Sequence, residues 1–393
     1  MYITSSSNIS SYNTVNPFGQ QHILLNHHHR FNQHVGPNSS STTTTTTTSS
    51  TSSYKLKRID EPEGNNNCAS ETLNNFELDD INTFEIKTTN IRDHINKFVY
   101  NHGVEKEFYF LEKRTEKDLL HGDFRTALKE ENKMKNRYIN VLPVEPHRVR
   151  LSVDSDDESE GSDYINASYI NDPLSKNKEK KYICTQGPLE NTFNDFWKMV
   201  WEVKSNIIVM LTKEEESNIK KCDRYWIDAG SKDYGNIRVQ FDTSIVLHEF
   251  IQRYFTLENL KTKEKRRIIH YQYIAWPDHG TPVSIKEFLN LIAAVEKEPK
   301  TGPIIVHCSA GIGRSGTFCV IHSVVTNSIS GGGADSNVVT LNIPKIIANF
   351  RSQRPGMVQN KEQYRFCYLA IAEGTTSLEQ LRKGRRSLSY SIN

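Results

Sequence analysis

One loop restricts what this chain can fold into. Residues 307–317 read His-Cys-Ser-Ala-Gly-Ile-Gly-Arg-Ser-Gly-Thr. The apolar β-branched residues Ile304, Ile305 and Val306 precede it, and a helix-like run over 317–325 follows. A strand therefore delivers the loop and a helix carries it away, which sets the loop's N–H groups at a helix N-terminus, where anions bind. Cys308 and Arg314 stand six positions apart, so the chain between them can wrap a thiol and a guanidinium around one tetrahedral oxyanion. Gly311, Gly313 and Gly316 let backbone amides turn inward, and Ser309, Ala310 and Ile312 complete that cradle. Arg314 offers a planar fork that takes two oxygens at once. Electropositive surroundings of this kind favour a thiolate, so Cys308 reads as an activated nucleophile rather than a structural core cysteine.

Other motifs accompany the loop. In chain order they are Lys135-Asn136-Arg137-Tyr138, Asp163-Tyr164-Ile165-Asn166-Ala167-Ser168, Thr185-Gln186-Gly187-Pro188, Trp276-Pro277-Asp278-His279-Gly280 and, after the loop, Gln353-Arg354-Pro355-Gly356-Met357-Val358-Gln359. With these, roughly residues 85–375 resemble the catalytic domain of the tyrosine-specific, cysteine-dependent protein phosphatases of the non-receptor, single-domain type. Dual-specificity and low-molecular-weight phosphatases share the cysteine loop alone. The resemblance implies an α/β fold with a highly twisted mixed central sheet flanked by helices. It also implies hydrolysis of phosphotyrosine in proteins through a cysteinyl-phosphate intermediate, with tyrosine-phosphorylated proteins as partners and with neither metal nor cofactor.

The same resemblance distributes roles. Asp278, on an arm anchored by Trp276 and bounded by Gly280, matches the general acid that protonates the leaving phenolate and later serves as base. Gln359 and Gln363 match the glutamines that position the hydrolytic water, with Asn360 where the family usually has threonine. Ser315 matches the hydroxyl that helps Cys308 depart from phosphate, and His307 the residue that orders the loop. Glu216 corresponds to the carboxylate holding Arg314, and Lys221 to a lysine meeting the closed lid. Tyr138 would wall a narrow cleft on which a phenyl ring stacks, too deep for phosphoserine, and Asn140 would bind the substrate's main chain. Two other classes were weighed. An inactive phosphotyrosine-holding module would lack the aspartate, cysteine or arginine, all of which are present. An inositol or lipid phosphatase would need a more basic pocket than a loop containing Ala310 and Ile312 provides.

The remainder of the chain bounds the domain. Residues 1–80, with a threonine run over 42–48, bury too little apolar surface to offset chain entropy and read as a disordered leader. Its histidines, His22, His27, His28, His29 and His34, read as a polar tail rather than a metal site. An acidic insertion lies near 152–162, where Ser155 precedes Asp156, Asp157 and Glu158, a glycine-rich insertion near 329–337, and a basic tail over 376–393. Helices are expected before residue 112, in a helix headed by Ser284, and over 361–372. Net charge is +2 and the basic residues do not interleave with aromatics, which sets nucleic acid aside. Six cysteines without a short-spaced even framework, no charged and apolar leader, and no apolar run of membrane length point to a reducing, cytoplasmic setting.

Overall fold

The computed structural model describes residues 86–87, 91–100, 103–153, 163–175, 180–330 and 340–389. The leader with its histidines, the acidic insertion beyond Val153 with Ser155, and the glycine-rich insertion beyond Ser330 lie outside the described residues.

The chain enters through β1 (Ile86–Lys87), α1 (Ile91–Tyr100), α2 (Gly103–Leu120) and the short α3 (Glu130–Lys133). Then come β2 (Arg148–Arg150), β3 (Tyr164–Asn171), β4 (Lys180–Thr185), α4 (Phe193–Glu202), β5 (Ile207–Met210) and a small hairpin of β6 (Glu215–Glu216) and β7 (Ile219–Lys220). A meander follows: β8 (Ser231–Tyr234), β9 (Ile237–Val246), β10 (Phe250–Asn259) and β11 (Lys265–Tyr273). The chain closes with α5 (Ile285–Lys297), β12 (Ile304–His307), α6 (Gly313–Ser330), β13 (Thr340–Leu341), α7 (Ile343–Gln353) and α8 (Lys361–Ser389).

Nine strands form one mixed sheet in the order β2-β3-β4-β12-β5-β11-β10-β9-β8. Its centre is parallel, β12 lying between β4 and β5 with β11 beyond, and its flanks are antiparallel. Alternation explains why the interiors of these central strands are apolar on both faces. Ile304 and Val306 of β12, Tyr182 and Cys184 of β4 and Ile207 and Val209 of β5 face one core, beneath α5, α6, α7 and α8. Ile305, Ile183 and Ile208 face the other, which Phe196, Trp197 and Val200 of α4 cover. A stretch of strand buried on both faces needs no polar alternation. The nucleophile loop leaves the carboxyl end of β12, inside the parallel part of the sheet, the position at which open α/β sheets place ligands.

Several elements differ from the sequence reading. No strand was assigned over 231–259, because β9 carries Asp242, Thr243 and Ser244 in succession, exposed on both faces, and loses the two-residue period. Helix α6 starts at Gly313 rather than 317, so the loop's last residues are themselves its first turn. Ser284 caps α5 by accepting the Glu287 N–H at 3.2 Å, but Glu287 turns its carboxylate toward His248 instead of closing a capping box. Helix α8 runs past 372 to Ser389, so the backbone of the expected tail is helical. Gly374 lies within α8, and a Cβ there would stand 2.8 Å from Val325 and 3.2 Å from Leu289. It is small because α8 packs closely on α5 and α6.

Between α2 and α8 lies a buried acid. Tyr368 donates its hydroxyl to Glu107 at 2.6 Å, and burial, outweighing that bond, pushes the Glu107 carboxyl from 4.5 up to about 7. The unfolded chain ionises near 4.5 and the folded protein near 7, so the stability this group allows is complete below 4.5 and is lost as pH rises toward 7. Glu107→Gln keeps an acceptor without the charge. It should be more stable than the parent by up to about 3 kcal/mol at pH 8 and lose that advantage near pH 4.5, measured by urea denaturation.

Candidate active site

The cysteine loop is built from behind. Arg354, wholly buried, donates to the carbonyls of Gly311 at 2.9 Å and Ala310 at 3.1 Å, and to Asn166 Oδ1 and Ser168 Oγ. With those carbonyls drawn backward, the amides of the same peptides face the anion side. Gly311 has φ +73°, and a Cβ there would stand 2.0 Å from the Thr185 carbonyl. No other residue fits. Cys308 is almost fully buried, and its Sγ receives the Gly311 N–H and the Ser315 hydroxyl, each at 3.3 Å. Burial without a carboxylate partner lowers the Arg354 pKa, but a guanidinium remains charged and adds positive potential behind the sulfur.

Arg314 lies in front. Its two terminal nitrogens meet Glu216 at 2.5 and 2.8 Å, a bidentate pair that fixes the plane of the fork. Of three consecutive glutamates only Glu216 turns inward. Glu214 pairs with Arg224, and Glu215 is exposed on the opposite face of β6. Arg314, with desolvation opposing it, holds the Glu216 carboxyl below its usual range.

The motifs upstream converge on the same loop. Arg137 donates to the carbonyls of Gly187 and Pro188 and to Asp223, while Gln186 accepts its backbone N–H. Asn136 Oδ1 accepts from Tyr164 and Asn166. These bonds hold Tyr138, whose hydroxyl is 2.8 Å from Ser309 Oγ, beside the cradle. Ile139 and Asn140 follow it at the surface, Ile139 being 90% exposed.

His307 is buried, and burial lowers its pKa to about 4, so it is neutral. Its Nδ1 is 3.3 Å from the Cys308 carbonyl, and its Nε2 is 2.8 Å from Tyr225 Oη, which is also 2.8 Å from His270 Nε2. One hydroxyl proton cannot serve both rings. If His307 Nδ1–H donates to the carbonyl, Nε2 accepts from Tyr225, Tyr225 accepts from His270 Nε2–H, and His270 Nδ1 is left to accept from Arg253 at 3.4 Å. All four links then run in one direction and every proton is used. Sequence reading gives His307 a role but none to Arg137 and Arg354, although both lie in the motifs, and no local pattern marks Tyr225 or His270.

Above the cradle sits the arm of Asp278. Trp276 is buried among Tyr273, Phe288 and Phe366 and donates its indole N–H to Gly280 O at 3.1 Å, which ties the arm's ends together. Arg314 donates to the Pro277 carbonyl at 3.2 Å and lies over the Trp276 ring. The Asp278 carboxylate is exposed and accepts the Ser217 hydroxyl at 2.7 Å, which, with Lys213 and His279 nearby, holds it below the usual carboxylate range. Lys221 makes only a backbone bond at this hairpin, to Glu214 O, so the described lid contact is that of Ser217. On the far side Gln363 Oε1 accepts the Gln359 N–H, and a Cβ on Gly313 would stand about 3 Å from both glutamine side chains. Asn360 caps α8 by accepting the Gln363 N–H, a task its amide oxygen performs as well as a threonine hydroxyl would. Among the described residues no group of three or more His, Cys, Asp or Glu could hold a metal ion.

A buried thiol among backbone amides, faced by an arginine clamped to Glu216, is the arrangement of a cysteine-dependent hydrolase of phosphate esters. Residues 132–373 match the family model described as protein-tyrosine phosphatase. Tyrosine-protein phosphatase 2 of Dictyostelium discoideum is 44% identical over 371 residues, 79% of this chain and 96% of that protein. Human tyrosine-protein phosphatase non-receptor type 20 is 39% identical over 69% of this chain and 61% of its own length, and mouse receptor-type tyrosine-protein phosphatase alpha 36% identical over 74% and 34%. The chain belongs to the protein-tyrosine phosphatase family.

Proposed function

We propose that the family's reaction, hydrolysis of protein phosphotyrosine, is carried out here by Cys308, Arg314 and Asp278, with Ser315, Gln359 and Gln363 in the second half. Cys308 attacks phosphorus in line, the amides of residues 309–313 and Arg314 follow the equatorial oxygens, and Asp278 gives its proton to the departing tyrosine oxygen. In the empty site Asp278 is ionised. A phosphate arriving beside it disfavours a second negative charge, and so loads the proton where the leaving group needs it. Gln359 and Gln363 then hold water against the cysteinyl phosphate, Asp278 takes its proton, and the Ser315 hydroxyl stabilises the thiolate as it leaves. Tyr138 supplies the wall that admits a phenyl ring, and Asn140 meets the peptide backbone. His307 and Trp276 hold the loop and the lid, and Glu216 holds Arg314.

The reading is carried by one observation: Cys308 Sγ receives two hydrogen bonds at the floor of a cradle whose arginine is already aligned by Glu216. We place the catalytic unit within residues 85–375 and the enzyme in a reducing, cytoplasmic setting. Five described cysteines are free thiols, and no described helix is long and apolar enough to cross a membrane. Arg314→Lys tests the reading, because lysine keeps the charge and loses the fork. Its kcat/KM on a phosphotyrosyl peptide should fall by about 10²- to 10³-fold. A loss under threefold would refute bidentate recognition.

A further inference from the structure

We infer that Ser217 is a positioning residue for the acid of the lid, seating the Asp278 carboxylate over the cradle before substrate arrives. The inference rests on the assignment of Asp278 as general acid. Ser217 and Asn218 form the two-residue turn between β6 and β7, with φ of 48° and 60°. Both lie in the left-handed region, as the tight turn matching the twist of a hairpin requires. Asparagine tolerates that conformation because its short amide side chain bonds locally, whereas serine is strained by it. A feature held against strain needs something to hold it. Here the strands pair Glu216 with Ile219, and Glu216 is clamped to Arg314. The result is that the Ser217 hydroxyl reaches Asp278 Oδ2 at 2.7 Å.

Two consecutive residues thereby grip the two reacting parts of the site. Glu216 fixes the arginine that binds the phosphoryl oxygens, and that arginine holds the lid through the Pro277 carbonyl. Ser217 fixes the lid's carboxylate directly. With a second bond from the Ser217 backbone N–H, which remains when the side chain is changed, the hydroxyl on Oδ2 sets the position of the carboxylate. Because a hydroxyl donates to a carboxylate better than to a neutral acid, the same bond favours the ionised form. Lys213 and His279 also face Asp278 and act in the same direction, but both remain when Ser217 is changed.

The experiment is the pH dependence of kcat/KM on an aryl phosphate for the full chain and for Ser217→Ala, Ser217→Gly, Asn218→Gly and Asp278→Ala. Alanine and glycine both remove the hydroxyl, and glycine also relieves the turn, so an effect common to the two belongs to the hydrogen bond. Both should lower the maximum by roughly 3- to 10-fold and move the alkaline limb to higher pH, while Asn218→Gly leaves the limb in place. An unmoved limb in either serine variant, or an equal movement in Asn218→Gly, overturns the inference while leaving the acid assignment intact. Retention of the alkaline limb in Asp278→Ala overturns the acid assignment and this inference with it.

Discussion

Cys308→Ser should abolish turnover, by about 10⁴-fold or more, while phosphotyrosyl peptide still binds. The two effects separate because different atoms produce them. Turnover needs a thiolate, and a serine hydroxyl in the same place is not ionised at neutral pH and has no base beside it: His307 directs one nitrogen to the Cys308 carbonyl and the other to Tyr225. Binding needs the amide cradle, Arg314 and Tyr138, and these are held by Arg354, Glu216 and Asn136, none of which touches the sulfur. The Gly311 N–H and the Ser315 hydroxyl that donate to Cys308 Sγ can donate to a serine oxygen instead, so the loop keeps its partners. Isothermal titration of the variant with a phosphotyrosyl peptide, beside a turnover assay, checks both halves. Turnover near that of the parent would remove Cys308 as nucleophile. Loss of binding together with turnover would mean that the sulfur organises the cradle.

Asp278→Ala should lower turnover of a phosphotyrosyl peptide by about 10²- to 10⁴-fold, flatten the alkaline limb of the rate profile and leave affinity in place. The carboxylate bonds Ser217 and takes no part in anchoring the arm, so its removal leaves Trp276 in its aromatic pocket and Arg314 on the Pro277 carbonyl. The deficit should shrink with nitrophenyl phosphate, whose phenolate departs with little need of a proton. Equal losses for peptide and nitrophenyl ester would give Asp278 a structural part only. A variant that binds and does not turn over should retain its phosphoprotein substrates on a column.

Some of this was legible in the chain before it folded. A β-branched run, a Cys-x5-Arg loop with spaced glycines and a helix-like run are local patterns, each with a backbone preference that the surrounding fold agrees with. They made Cys308 and Arg314 the candidates and set the loop at the end of a buried strand, whereas the fold class came from the resemblance that the whole set of motifs carries. Trp276 and Asp278 were likewise adjacent in sequence and remained together in space.

Other parts were decided only when distant segments met. Glu216 was one of three equal glutamates until the period of β6 sent it inward toward an arginine 98 residues away. Arg354 lay in a quoted motif with no role of its own, and it proves to turn the carbonyls of a loop 43 residues upstream. Ser217 meets Asp278 across 61 residues, where a lysine was expected. The extent of α8 followed from packing at Gly374, not from the glycine's weak helix propensity. Local sequence sets backbone preference because neighbouring groups clash or bond within a few residues. It leaves open which polar group will satisfy which other across the sheet, because burial and hydrogen-bond geometry exist only after the strands have paired and the helices have covered them.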